Sequence, residues 1–151
     1  MSSAREQAVY HWITGLRVRR LWRRVGTGDY RAAVAIAAPD VLFRFAGDTP
    51  LSVQARGREA FEAWFRDLFA RLPGLRLTLR DVVVRGWPWN TTVVVRLDAA
   101  ATLADGTAYR NEAVQWVRLR WGRMVSDEVL EDTQRLADAL RRQAAATGPH
   151  S

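Results

Sequence analysis

The chain runs to 151 residues, 48% of them hydrophobic, which suits one globular domain with a substantial core. Its formal net charge of +7 rests on arginine alone, since the sequence holds no lysine. It also holds no cysteine, which excludes disulfides and thiolate chemistry.

No apolar run approaches the roughly 18 residues that a membrane-spanning helix requires. The opening "MSSAREQAVY" lacks the basic segment and apolar stretch of a secretory signal, so a cytoplasmic protein with no membrane partner is expected.

Residues 4 to 13 carry an apolar stripe of Ala8, Val9, Trp12 and Ile13. In the following "RVRRLWRR", helical spacing puts Val18, Leu21, Trp22 and Val25 on one face. Arg17, Arg19, Arg20, Arg23 and Arg24 share the other face, and the first stripe falls on that arginine side. One straight helix cannot bury both stripes, so a break is expected near Thr14-Gly15, with the main first helix running on to Val25. The arginines read as a solvated face. With no helix-turn-helix, zinc-finger or RNA-binding signature beside them, nucleic acid is the least favoured partner. "GTG" ends this helix, and Asp29 is the expected N-cap of a short second one, "YRAAVAIAA", which stops before Pro39.

"VLFRFAG" reads as a short strand. "GREAFEAWFRDLFARL" is the clearest helix, with Ala60, Phe61, Trp64, Phe65, Leu68 and Leu72 along one side and Pro73-Gly74 closing it. Four strands follow, over residues 75–85, 91–103, 108–121 and 124–131, separated by "GWPWN", "ADG" and "WGR". Thr133 to Ala145 forms a last helix with Leu136 and Leu140 inward, ahead of a polar tail. Helices segregated from an antiparallel meander define an α+β domain with helices covering one face of a sheet. Strands this long in a small domain must curve, and a curved sheet over helices encloses a cone. The expected division is an amphipathic extension over 1–14, the domain over 15–133, and a C-terminal helix and tail over 134–151.

Within "YRNEAVQWVRLRW" (109–121), strand alternation puts Tyr109, Asn111, Ala113, Gln115, Val117 and Leu119 on one face. Val114 and Trp116 share the other with Arg110, Glu112, Arg118 and Arg120. The first face ends as core yet begins with a phenol and two carboxamides. Burying such a group without a partner costs roughly 1–3 kcal/mol. These three therefore need an internal network or a ligand.

The inventory of reactive groups is narrow. His11 and His150 are the only histidines, one near each end, which excludes a histidine metal cluster or a Ser–His–Asp triad. No glycine-rich phosphate loop is present, and neither metal nor cofactor is expected. Proton transfer would fall to carboxylates aided by tyrosine, asparagine or glutamine. "RMVSDEVLED" supplies the acids, but its two phases, Val125–Asp127–Val129–Glu131 and Met124–Ser126–Glu128–Leu130, are about equally apolar. Periodicity leaves the inward phase open.

Three stretches, "RRLWRRVGTGDYRAAVAIAAPDVLFRF", "GREAFEAWFRDLF" and "DGTAYRNEAVQWVRLRWGRMVSDEVLEDT", together resemble the SnoaL-like branch of the nuclear transport factor 2-like superfamily. The resemblance covers most of residues 15 to 133. It implies a cone-shaped, cystatin-like α+β fold, usually dimeric, with a ligand pocket between the helices and the concave sheet. The family includes polyketide cyclases, ketosteroid isomerases, limonene epoxide hydrolases and many non-catalytic binding domains.

On that frame Tyr109, Asn111 and Gln115 look into the pocket, and Trp22, Trp64 and Phe45 complete the expected ligand-binding set. Similarity to the isomerases favours Asp127, Val129 and Glu131 inward. Asp127 and Glu131 become the candidate catalytic pair, because an apolar surround raises a carboxyl pKa toward neutrality. The competing reading pairs these acids with arginines at the rim. The same likeness puts Phe45, Leu21 and Gln115 where an isomerase carries its base aspartate, oxyanion tyrosine and second oxyanion acid. None of the three fills that role, which argues against steroid isomerisation. Asn111, Gln115 and Asp127 are only loose analogues of the epoxide hydrolase residues.

The expectation is a homodimeric binder of a small apolar organic molecule, with carboxylate catalysis of the cyclase, isomerase or hydrolase kind left open. The alternative is a non-catalytic dimeric interaction module. The dimer contact is expected on the convex face around Val114 and Trp116, since an exposed sheet face is otherwise polar. Trp87 and Trp89 are expected to fold back onto the barrel end or to cover the pocket mouth.

Overall fold

In the computed structural model, which describes residues 2–148 and so leaves His150 outside, the chain opens on one unbroken helix, α1 (Ser2–Val25). The break expected at Thr14-Gly15 does not occur, because the helix does not bury both stripes. Trp22 and Val25 go into the core with Val18 against it, while Val9, Trp12, Ile13 and Leu16 stay 37–66% exposed. The N-terminal half is held by its polar side instead. His11 Nε2 lies 2.7 Å from the Gly86 carbonyl, and the Tyr10 hydroxyl bonds that of Thr91. Hydrogen bonds replace the apolar docking that would have demanded a kink.

The stop after α1 has a packing reason. A Cβ on Gly26 would sit 2.1 Å from the Leu77 carbonyl oxygen, so only glycine lets the chain cross this close. Helix α2 (Arg31–Ile36) then starts at Tyr30 with no side-chain cap. Asp29, expected there, pairs with Arg24 at 2.8 Å instead. On an open surface, that choice between cap and ion pair involves only about 1 kcal/mol either way.

Strand β1 (Ala37–Phe45) is followed by β2 (Val53–Arg56), which the sequence reading did not contain, and by helix α3 (Arg58–Arg71). Four long strands come next: β3 (Arg76–Trp87), β4 (Asn90–Thr102), β5 (Ala108–Arg120) and β6 (Arg123–Glu131). Helix α4 (Thr133–Thr147) ends the fold, capped by Asp132, which accepts from the Arg135 N–H. The strands form one curved, open sheet in the order β2-β1-β6-β5-β4-β3. β3 to β6 make the antiparallel meander, whereas β1 joins β6 in parallel.

Helix α3 lies on the concave side and buries Phe61, Phe65 and Leu68. The Phe61 ring packs 5.1 Å from Phe43 and 5.0 Å from Phe65, and Trp64 packs 4.7 Å from Phe43. Fully burying one such side chain is worth about 1.5–3 kcal/mol, so this aromatic layer anchors helix to sheet. Phe43, Trp64 and Phe65 of this layer also line the cone. No helix among the described residues is long and apolar enough to cross a membrane.

Candidate functional site

Two neighbouring strands build the site, and they behave differently. β5 alternates throughout, with Tyr109, Asn111, Ala113, Gln115, Val117 and Leu119 buried and their neighbours exposed. β6 does not alternate: Met124 and Asp127 are both buried, three residues apart. Opposite them the register slips, since Arg118 faces Ser126 while Leu119 faces Met124. The bulge leaves Val125 unpaired and switches the phase of the strand. Beyond it, Asp127, Val129 and Glu131 turn toward the cone, as the likeness to the isomerases implied.

Seven of the eight predicted site residues meet at one cavity of about 50 Å³. Trp22, Phe45 and Trp64, with Phe43 and Phe65, make its aromatic wall, and Tyr109, Gln115, Asp127 and Glu131 bring its polar groups. Gln115 Nε2 donates to Asp127 Oδ2 at 2.8 Å. The other oxygen of Asp127, Oδ1, and Oε1 of Glu131 are buried with no hydrogen-bond partner among the described residues. Neither acid joins an ion pair among the described residues, so the rim-arginine reading does not hold.

Burial sets the electrostatics. It pushes Asp127 up to about 7, against the opposing hydrogen bond from Gln115. It pushes Glu131 up to about 7 as well, with the neighbouring Asp132 charge adding to the effect. Tyr109 is raised further above its ordinary value, first by burial and then by the Glu131 charge, so it stays a phenol. Near neutral pH the cone therefore holds two carboxyls poised between acid and anion beside an un-ionised hydroxyl.

Asn111 is the correction. It is buried, but it does not border the cavity. Its Nδ2 donates to the Tyr109 hydroxyl and to the Asp132 carbonyl, both at 2.9 Å, and its Oδ1 accepts from the Glu112 N–H. With those bonds made, it ties Tyr109 to the end of β6 rather than lining the cone. The polar face of β5 thus divides into one internal anchor and two groups on the cavity.

A second void of about 50 Å³ lies toward α2 and also touches Trp22, Phe65, Gln115 and Asp127. Trp22 and Phe65 border both voids. Phe43 and Phe65 were not among the predicted site residues. Their signals were present in the alternation Val41–Phe43–Phe45 and in the helical spacing Phe61–Phe65. Trp87 and Trp89 stack on each other with centroids 5.5 Å apart at the end of the sheet, and neither borders the cavity.

A curved sheet covered by helices, with an aromatic cone between them, is the nuclear transport factor 2-like architecture. The family model described as the SnoaL-like domain matches residues 18–126, and the chain belongs to that family. A nuclear transport factor 2-like protein of unknown function from Burkholderia pseudomallei superposes with a TM-score of 0.70 at 21% identity, covering 82% of this chain and 93% of its own. A putative SnoaL-like polyketide cyclase from Jannaschia sp. gives 0.66 at 19% identity, covering 92% and 95%. IdmH, a putative polyketide cyclase from Streptomyces antibioticus, gives 0.63 at 21% identity, covering 80% and 93%. At these identities the likeness is one of fold. No curated protein matches the sequence significantly.

Proposed function

We propose that the protein binds a small, largely apolar organic molecule in the cone, and that Asp127 and Glu131 move a proton on it. One observation carries this reading: two carboxyl groups that border the same apolar cavity each keep a buried oxygen without a hydrogen-bond partner among the described residues. Leaving a buried polar atom unpaired costs about 1–3 kcal/mol, and here the cost is met twice in one place. A ligand would supply the missing partners.

The roles follow from the geometry. Asp127, held through Oδ2 by Gln115, donates from Oδ1 while protonated, and the Tyr109 phenol donates beside it. Both suit an oxygen that gains negative charge during reaction. Glu131, in its ionised form, takes the proton. With pKa values near the working pH, such a pair contributes about 10²–10⁴ in rate. Proton transfer next to a carbonyl, as in a cyclisation or isomerisation, fits this set, as does hydrolysis through an activated water. Two of the similar folds are described as putative polyketide cyclases, which is in keeping with the first.

The cavity of about 50 Å³ admits a small group, whereas organic ligands usually occupy about 300–1,000 Å³. Binding a whole ligand therefore requires the cone to open beyond the two voids combined, and movement of Trp22 and Phe65, which border both, would enlarge it. The tight cone also favours a second reading, a non-catalytic interaction module. Val83, Val114, Trp116 and Leu130 are exposed apolar side chains of the long strands, and Val114 and Trp116 stand on the convex side of β5. A cytoplasmic homodimer through this convex side is compatible with both readings.

The test is a thermal-shift and turnover screen of aromatic ketones and phenols on the wild type, Asp127→Asn and Glu131→Gln. Binding retained by the amides while turnover falls by about 10²–10⁴ supports proton transfer. Ligands bound equally by all three proteins and turned over by none leave a binder. If nothing binds, and Trp116→Glu splits a dimer seen by light scattering, the interaction module takes its place.

A further inference from the structure

The arginine face of α1 and the tryptophan of the "WGR" turn meet at one place outside the cone. Trp121 and Gly122 link β5 to β6 with φ of 52° and 78°. Positive φ at both residues of a two-residue hairpin loop belongs to a turn that favours Asn-Gly. Trp121 is the one non-glycine residue with positive φ among the described residues. A bulky side chain is strained there. The Trp121 N–H donates to the Pro88 carbonyl at 2.6 Å, which holds the backbone, but burial of the side chain compensates little, because Trp121 is 72% exposed. Strain kept without burial points to a contact made with something else.

The Trp121 side chain borders a groove of about 730 Å³ between α1, α2 and the turn. Val18, Leu21, Ile36 and Leu119 contribute apolar surface to it. Arg17, Arg20 and Arg24 reach it from α1 and Arg31 from α2, and no acidic side chain borders it. Arg24 is held by Asp29, whereas Arg17, Arg20 and Arg31 form no ion pair among the described residues. Trp89 stands 6.2 Å from Trp121 and extends the aromatic edge. Three unpaired guanidinium groups around an apolar floor repel a second copy of the same face. They match an anion, and the groove has the volume of a small-molecule site.

We propose that this groove binds a small organic anion. Its apolar body lies on the Val18–Leu21–Ile36–Leu119 floor against the Trp121 indole, and its carboxylate, sulfonate or phosphate meets Arg17, Arg20 and Arg31. Guanidinium forks pair such oxyanions with two parallel hydrogen bonds, and the indole supplies a flat stacking surface. The site is separate from the cone. The same four floor residues also border the void that reaches Gln115 and Asp127, so groove and cone stand on two sides of one layer of side chains.

The test compares two dyes by fluorescence titration: 8-anilinonaphthalene-1-sulfonate, and N-phenyl-1-naphthylamine, which has the same rings without the sulfonate. The expected result is saturable binding of the sulfonate, at least about tenfold tighter than the neutral dye and weakened by salt. Replacing Arg17, Arg20 and Arg31 together by alanine should bring the two affinities level. Trp121→Asn should raise Tm, by relieving the turn, and yet weaken the sulfonate. Equal affinity of the two dyes for the wild type overturns the proposal. So does sulfonate binding that survives the arginine replacements, which would assign the dye to the cone. Displacement of the dye by duplex DNA or phosphatidylglycerol vesicles at roughly 0.15 M salt would assign the face to a polyanion, and the small-anion site would fall.

Discussion

The cone and the outer groove share a wall and invert each other's chemistry. Among the described residues, the cone holds two acids and no cationic side chain beside them, and the groove holds four arginines and no acid. Their surroundings explain why each can persist. A carboxyl out of water answers burial by keeping its proton to higher pH, so the interior tolerates Asp127 and Glu131 as neutral groups up to about pH 7. A guanidinium cannot shed its proton and remains at the solvent edge. One side of the wall can therefore change charge over the physiological range. The other side is fixed.

The largest expected effect breaks the cone. Phe61→Ala removes a fully buried ring that packs behind Phe43 and Phe65 of the wall and should cost about 3–5 kcal/mol in denaturant unfolding. The dye affinity of the groove should survive wherever the variant stays folded, because Phe61 does not border it.

Next comes the pH dependence, in which the two regions should part. Asp127 and Glu131 bind their protons more tightly folded than unfolded, with folded values of about 7 against ordinary values of 3.8 and 4.5. Below about pH 3 both are protonated in either state and no difference arises. As pH rises from about 4 to about 7 the unfolded chain releases protons that the folded one retains, so stability falls through that window and levels above it. The loss is on the order of a few kcal/mol per group. Thermal melts from acid to mildly alkaline pH should show this slope. Asp127→Asn with Glu131→Gln should flatten it and raise stability at the alkaline end. The groove arginines contribute nothing to the slope, and an unchanged profile in the double amide would mean the acids titrate normally.

A smaller effect sharpens the division within β5. Asn111→Ala strips the Tyr109 hydroxyl and the Asp132 carbonyl of their donor and should cost about 1–3 kcal/mol by chemical denaturation. Smaller still, Arg17→Ala or Arg20→Ala should shift stability by no more than about 0.5 kcal/mol while weakening the anionic dye. A large stability loss from either would mean that the arginine face is structural.

Helical and strand periodicity, turn residues and composition were enough to specify α3, the long meander, α4 and the α+β class. These rest on local spacing and on which side chains leave water. Within β5 the alternation even identified Tyr109 and Gln115 as inward polar groups. Other features depended on partners distant in sequence. Helix α1 stays straight because residues 10 and 11 find Thr91 and Gly86 some 80 and 75 positions away, a docking invisible to periodicity. β2 is four residues long, too short to show a pattern, and exists through pairing with β1. The inward phase of β6 was undetermined by the sequence because a bulge at Val125 interrupts the two-residue period, and only pairing with β5 reveals it. Asn111 and Gln115 are the same kind of group on the same face, four residues apart. Which one is spent on the backbone and which meets an acid was decided by what β6 and the start of α4 placed opposite each, since hydrogen bonding is settled by geometry at a range of about 3 Å.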